Sequence, residues 1–149
     1  MVEQEMRVEL RVTVEGDGQV PGYATEEAAG MDLRSTHDVT LEPLQRMLVK
    51  TGLKMAIPKG FEGQVRPRSG LALKQGITCL NSPGTIDSDY RGEVGVILIN
   101  LSDSVVQLAK GERIAQLVVC PVARAGVQVV DSLDQTERGE GGFGSTGLK

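Results

Sequence analysis

The chain has 149 residues, 40% of them hydrophobic and 24% charged, with 16 Lys and Arg against 20 Asp and Glu for a net charge of −4. That length suffices for one domain with its own core, and the acidic balance excludes the broad basic face that nucleic-acid or membrane-surface binding requires, while leaving room for a small polyanion held by a few local arginines. A lone histidine excludes metal sites built on several histidines, no apolar run reaches transmembrane length, and the polar start Met1-Val2-Glu3-Gln4-Glu5 is unlike a secretory signal, so a cytoplasmic setting is expected.

Residues 8–14 alternate apolar and polar (V-E-L-R-V-T-V) and end in Glu15-Gly16-Asp17-Gly18, which predicts a strand followed by a turn. Further strands are predicted at 39–41, 47–49, 52–57, 63–66, 77–81, 94–101, 114–119 and 127–130, punctuated by Pro43, Pro58, Gly60, Pro83, Gly84 and Gly111. Only residues 69–74 read as helix. Short strands at this spacing predict an all-β barrel or sandwich, without repeats or linker, so residues 1–149 are expected to form a single domain. Residues 94–99 and 114–119 are almost continuously apolar, which predicts burial on both faces, either against another subunit or inside a thick single-chain core. Cys79 and Cys120 lie in apolar contexts without C-x-x-C spacing and read as small core residues in a reducing compartment. His37, in Ser35-Thr36-His37-Asp38, reads as a surface residue. The aromatics are Tyr23, Phe61, Tyr90 and Phe143, each beside Gly or charge. The core must therefore come from Val, Ile, Leu and Met, leaving Tyr90 and Phe143 for contact with something else.

Four polar islands interrupt this framework. The first is Ala29-Gly30-Met31-Asp32-Leu33-Arg34-Ser35. The second, Arg66-Pro67-Arg68-Ser69-Gly70-Leu71, opens the helical stretch and places a guanidinium, a hydroxyl and backbone N–H groups together, which suits an anion; an ordinary Ser N-cap with a surface arginine is the alternative. In the third, Asn81-Ser82-Pro83-Gly84-Thr85-Ile86-Asp87-Ser88-Asp89-Tyr90-Arg91-Gly92, the Ser-Pro-Gly turn predicts a hairpin over 77–92 whose mouth offers backbone groups to a planar base. Asp87 and Asp89 are expected on one strand face and Tyr90 on the other, which suits a general base or metal-water ligand beside a stacking ring; solvated turn aspartates are the alternative. The fourth, Arg138-Gly139-Glu140-Gly141-Gly142-Phe143-Gly144-Ser145-Thr146-Gly147, combines phosphate-binding glycines, a guanidinium, hydroxyls and an aromatic, with too little chain after it for a helix. It predicts a mobile arm, residues 138–149, that orders on a ligand; a solubilising tail is the alternative.

These islands, with Gly111-Glu112-Arg113-Ile114-Ala115-Gln116-Leu117, resemble the trimeric deoxyuridine triphosphatases (dUTP diphosphatases) in all five motifs and in their order, from about residue 20 onward. The resemblance implies a distorted, jelly-roll-like β-barrel (β-clip) assembled as a homotrimer, with sites shared between subunits and the arm reaching a neighbour's site. It also implies a role for each matching residue. Asp87 orients and deprotonates the attacking water, and Tyr90 packs under the deoxyribose. Asn81 with the backbone of Gly84, Thr85 and Ile86 reads uracil. Arg68, Ser69, Gly70 and Gln116 contact phosphates or order water. Arg138, Phe143, Gly144, Ser145 and Thr146 close over the nucleotide, and Asp32 sits beside Mg²⁺ through water. The implied reaction is Mg²⁺-assisted hydrolysis of dUTP to dUMP and pyrophosphate by in-line attack at the α-phosphorus, which keeps uracil out of DNA and supplies dUMP for thymidylate synthesis. A carboxylate of ordinary pKa about 3.9 is a weak base, so Asp87 would contribute mainly by positioning. Two other readings remain open: a dCTP deaminase-like enzyme of the same fold, which matches the hairpin and tail less well, and a non-catalytic nucleotide-sensing module.

Overall fold

Alternating patterning dictates where most strands form, and the computed structural model, which describes residues 5–147, follows it. Residues 1–4, most of the acidic start, and residues 148–149, the end of the expected arm, lie outside the described residues. The strands are β1 (Arg11–Val14), β2 (Met31–Arg34), β3 (Val39–Leu41), β4 (Arg46–Ala56), β5 (Phe61–Arg66), β6 (Ile77–Cys79), β7 (Gly84–Ile86), β8 (Glu93–Asn100), β9 (Val106–Leu108) and β10 (Arg113–Pro121), with one helix, α1 (Ser69–Gln75), between β5 and β6. They form two four-stranded sheets, ordered β1-β4-β8-β6 and β2-β10-β5-β7, plus a β3-β9 ribbon, and every pairing is antiparallel. The expected distorted barrel thus takes the form of two distorted sheets around one core, not a closed barrel.

Both sheets and the ribbon feed that core: Val49, Leu53, Val96 and Leu98 from the first sheet, Leu33, Val65, Ile114 and Leu117 from the second, Val39, Leu41 and Leu108 from the ribbon. No aromatic is among the buried residues, as composition required; Phe61 only packs against the cluster from its edge. Cys79 is in the core and Cys120 is half-buried near the end of β10. Burial pushes the Cys79 thiol up to about 11, so it stays a neutral, inert packing group.

Several boundaries differ from expectation for identifiable reasons. The predicted strands 47–49 and 52–57 are one strand, β4, because Lys50-Thr51-Gly52 forms a bulge instead of a turn: the register against β8 shifts between Lys50 and Lys54, and Gly52 takes φ 70°. The buried Thr51 hydroxyl donates to the Val94 carbonyl at 2.6 Å, which lets a polar side chain occupy the core side. Residues 77–92 do not form a hairpin. β6 pairs with β8 and β7 with β5, so the two arms cap edges of different sheets, each burying its alternate residues there. Residues 127–130 are not a strand; among the described residues they pair with nothing, and Val127 and Val129 are 90% and 94% exposed. Nor is β8 buried on both faces in this protomer: Val94, Val96 and Leu98 point inward, whereas Gly95, Ile97 and Ile99 are half-buried beside Leu48, which is 60% exposed. The apolar run therefore does not fill a thick single-chain core, and its outer face is left partly open.

Candidate functional site

β10 runs between β2 and β5, and its register sets Gln116 opposite Asp32 on one side and Arg66 on the other. The chain leaves β5 at Arg66, passes Pro67 and Arg68, and enters α1, so the first, second and Gln116-bearing motifs meet at one corner. There the Asp32 carboxylate lies 3.8 Å from Arg68 Nε and 3.6 Å from an Arg113 guanidinium nitrogen. Arg68 also donates to the Arg113 carbonyl at 3.3 Å, and Gln116 Nε2 donates to the Pro67 carbonyl at 3.1 Å. Gly30 makes this possible, since a Cβ there would lie 2.5 Å from Gln116 Oε1. Two guanidinium groups against one carboxylate leave the corner net cationic, suited to an anion.

The start of α1 adds donors. Its N-cap is Arg68, with no side-chain cap hydrogen bond, and its first turn holds no acidic residue. Ser69 is therefore the first helical residue and not the N-cap that the structural alternative requires. Its exposed hydroxyl makes no hydrogen bond among the described residues, and Gly70 faces open space. The helix is anchored by Leu71 and closed by Gly76 in the left-handed region, φ 67°, whose N–H bonds back to Ala72 and Leu71 carbonyls.

A second constellation surrounds the end of β7. This strand is the edge of its sheet, so one side of Gly84–Ile86 pairs with β5 while the other presents unpaired backbone donors and acceptors. The base-reading edge expected from a hairpin mouth is thus supplied by a sheet edge. The Asn81 amide packs against Gly84, Nδ2 falling 3.2 Å from where a Cβ would stand. After Ile86 the chain turns, with Tyr90 N–H donating to the Asp87 carbonyl at 3.1 Å and Arg91 donating to the Ser88 and Tyr90 carbonyls at 2.7 and 3.0 Å. Asp87 and Asp89 consequently do not share a strand face, since both belong to this turn. A cavity of about 180 Å³ opens beside it, lined by Thr85, Ile86, Asp87, Tyr90, Glu93, Val94 and Gly95. That volume fits a single base and sugar rather than a drug-sized ligand. The exposed Asp87 carboxylate is at the cavity wall with the Tyr90 ring.

The Gly-rich arm touches neither constellation. Among the described residues its hydrogen bonds reach no further than Thr136: Gly139 N–H to the Thr136 hydroxyl at 3.1 Å, Arg138 Nε to the Gly141 carbonyl at 2.8 Å, Ser145 N–H to the Gly142 carbonyl at 3.0 Å and Gly147 N–H to the Gly144 carbonyl at 2.9 Å. Phe143 is fully exposed with φ 50°, and Gly144, Ser145 and Thr146 are exposed as well. One protomer therefore unites Asp32, Arg68, Ser69, Gly70 and Gln116, separately unites Asn81, Gly84, Thr85, Ile86, Asp87 and Tyr90, and leaves Arg138 and Phe143 apart. Among the described residues no hydrogen bond or ion pair links these groups.

A family model described as dUTPase matches residues 17–147. The chain belongs to the dUTPase family. It is 57% identical over 134 residues to a deoxyuridine 5'-triphosphate nucleotidohydrolase of Hydrogenobaculum sp., covering 89% of this chain and 93% of that one. The enzyme of the same name from Roseobacter denitrificans is 60% identical over 131 residues, 86% of each chain. Among solved structures, Staphylococcus bacteriophage 80alpha dUTPase with dUPNHPP superimposes with a TM-score of 0.88 at 29% identity, covering 94% of this chain and 99% of that one. Two further residues, Arg113 and Glu93, lie beside the predicted ones in these two constellations. Arg113 flanks the β10 irregularity opposite Arg34, and its guanidinium reaches back to Asp32; its place three residues before Gln116 in the same motif is the one signal of this in the sequence. Glu93 follows Tyr90-Arg91-Gly92 directly, and its place in the cavity wall needed the β4 bulge to be seen.

Proposed function

We propose that this chain hydrolyses dUTP to dUMP and pyrophosphate, at sites assembled from several copies of itself as a homotrimer. The observation that carries the reading is the base-sized cavity beside the free edge of β7, with Asp87 and Tyr90 on its wall. Uracil pairs with the backbone edge of Gly84, Thr85 and Ile86 and with Asn81; cytosine presents the opposite hydrogen-bond polarity, and each buried group left unpaired costs about 1–3 kcal/mol. The methyl of thymine is refused by lack of space. Tyr90 packs under the sugar. Support for the assembly comes from the partly open apolar face around Leu48, Ile97 and Ile99, and from an arm that finds no partner in its own protomer.

Asp87 holds a water in line with the α-phosphorus. The water oxygen bonds to phosphorus, the bond from phosphorus to the bridging oxygen of the β-phosphate breaks, pyrophosphate leaves, and the proton passes to the Asp87 carboxylate. Arg68, Ser69, Gly70 and Gln116 receive the triphosphate at the cationic corner of a neighbouring copy. The arm then closes, with Arg138 on the terminal phosphate, Phe143 over uracil, and Gly144, Ser145 and Thr146 supplying donors while water is excluded. The chain's donor set fits magnesium in one form only: the described residues hold no group of three His, Cys, Asp or Glu side chains, and Asp32 is paired with two arginines. Mg²⁺ would thus be carried by the substrate phosphates, with Asp32 reaching it through water, and when bound it neutralises charge on the triphosphate. No helix among the described residues is long and apolar enough to cross a membrane; a cytoplasmic enzyme with no nucleic-acid partner is our reading.

The decisive assay is pyrophosphate release from dUTP, dTTP, dCTP and UTP, with and without magnesium. dUTP alone should turn over efficiently; ammonia release from dCTP would point to the deaminase alternative, and nucleotide binding without turnover to a sensor.

A further inference from the structure

Tyr90 lies on an exposed turn, yet its ring is held. It folds over Gly92, where any side chain would collide with it, and its hydroxyl donates to the Glu93 carbonyl at 2.9 Å. That carbonyl belongs to the first residue of β8, a strand end that would fray if nothing restrained it. The restraint is visible. The Glu93 carboxylate accepts the Gly52 N–H at 3.1 Å, across the bulge where the β4–β8 ladder is interrupted. The bulge is itself fixed: the Gly52 carbonyl accepts the Glu15 N–H at 2.8 Å, and Thr51 bonds the Val94 carbonyl at 2.6 Å. A Cβ on Gly52 would lie 2.6 Å from the Glu15 carbonyl oxygen, so the bulge packs directly against the turn that backs it and admits only glycine there.

We propose that Glu93 is a positioning residue that sets sugar selectivity: by fastening the start of β8 to the Gly52 bulge, its carboxylate fixes the carbonyl that locks the Tyr90 ring. The proposal rests on the reading of Tyr90 as the surface under the deoxyribose. A ring backed by Gly92 and tied at its hydroxyl leaves no space for a ribose 2'-hydroxyl, whereas a ring free to swing admits one. Glu93 touches the Tyr90 lock through its backbone and the bulge through its side chain, so substitution separates the two functions.

The test uses Glu93→Ala, Glu93→Asp, Glu93→Gln and Tyr90→Phe in the full-length protein. Asp retains the charge but is one methylene too short to reach Gly52, whereas Gln keeps both length and acceptor. The ratio of kcat/KM for dUTP to that for UTP should fall at least tenfold in Glu93→Ala, Glu93→Asp and Tyr90→Phe, and stay within threefold of the unmodified protein in Glu93→Gln. The Glu93→Asp and Tyr90→Phe losses should not add in the double variant. A second readout needs no activity: the chain has only two tyrosines, so NMR of the tyrosine-labelled protein resolves the Tyr90 ring, with Tyr90→Phe assigning it. Its signals should move toward those of a free tyrosine in Glu93→Asp and remain in place in Glu93→Gln. Unchanged ring signals and selectivity in Glu93→Asp would overturn the proposal, as would equal losses in Glu93→Gln. Should Glu93→Ala fail to fold, the Asp and Gln pair decides. Absence of dUTP turnover in the unmodified protein would defeat the functional reading instead, while the ring signals would still judge the clip.

Discussion

Adding a single methyl at Gly30 should disable the phosphate corner by displacing Gln116, while every side chain assigned to the substrate keeps its identity. Gly30 is not among the glycines with positive φ, so alanine fits its backbone; the conflict is with its neighbour. The new Cβ would lie 2.5 Å from Gln116 Oε1, 3.1 Å from its Cβ and 3.2 Å from its Cδ. The amide can rotate away, but its Cβ is fixed to β10, so relief is partial. Overpacking of this kind costs about 1–3 kcal/mol, and rotation breaks the 3.1 Å bond to the Pro67 carbonyl, worth about 1 kcal/mol. With partial relief we expect Gly30→Ala to lose about 2 kcal/mol, a fall in Tm of about 4–8 °C. kcat/KM for dUTP should drop about tenfold or more, since each factor of ten is only about 1.4 kcal/mol of misplaced transition-state contact. Scanning calorimetry and pyrophosphate release measure the two effects. The cycle with Gln116→Ala isolates the cause: once the amide is gone, the remaining Cβ contact still costs stability, but Gly30→Ala should cost almost nothing further in activity. Full additivity of the two activity losses would refute the reasoning.

Asp87→Asn should reduce kcat at least a hundredfold while a non-hydrolysable dUTP analogue still binds within a few-fold in calorimetry, since the carboxylate serves the water and not the base. Ending the chain after residue 137 should abolish turnover and leave the circular dichroism spectrum and Tm nearly unchanged, because among the described residues the arm's hydrogen bonds reach no further than the exposed Thr136; near-normal activity would contradict the clamp. The Cys79 thiol, raised from 9.0 to about 11, binds its proton more tightly in the folded state, so its contribution is complete below pH 9 and is lost as pH climbs from 9 toward 11, by up to about 1.4 kcal/mol per unit. Chemical denaturation at pH 8, 9 and 10 of the protein and of Cys79→Ala checks this, and iodoacetamide should label the half-buried Cys120 before Cys79.

How much was legible in the chain depended on whether the signal was local. The apolar runs within 94–101 and 114–119 locate β8 and β10 to within a residue or two, and residues 69–74 locate the helix. Met31–Arg34 reads as part of a polar island, although its buried and half-buried residues alternate as β2, because two apolar residues between charged ones give too little period to mark a strand. Val106–Leu108 is not predicted as a strand, although its alternation matches that of the equally short 39–41 with which it pairs. The supposed hairpin failed for a different reason: pairing partners are non-local, and nothing in 77–92 reveals that its halves add to different sheets. The same limit governed the site. Residue types were readable one motif at a time, but the Asp32–Arg113 pair and the Glu93–Gly52 bond join positions 81 and 41 residues apart, which only pairing register creates.

Gln116 stands level with Asp32 on one neighbouring strand and with Arg66 on the other. Because successive side chains on a strand point to opposite sides, losing or gaining one codon between Gly111 and Gln116 would rotate the amide into the interior and drive Ala115 or Leu117 toward the solvent. Point changes along this stretch can be absorbed singly, whereas a length change of one would dismantle the anion corner and the packing beneath it together. Lineages carrying this chain should therefore vary in length at exposed turns, such as 24–27, and keep this interval constant.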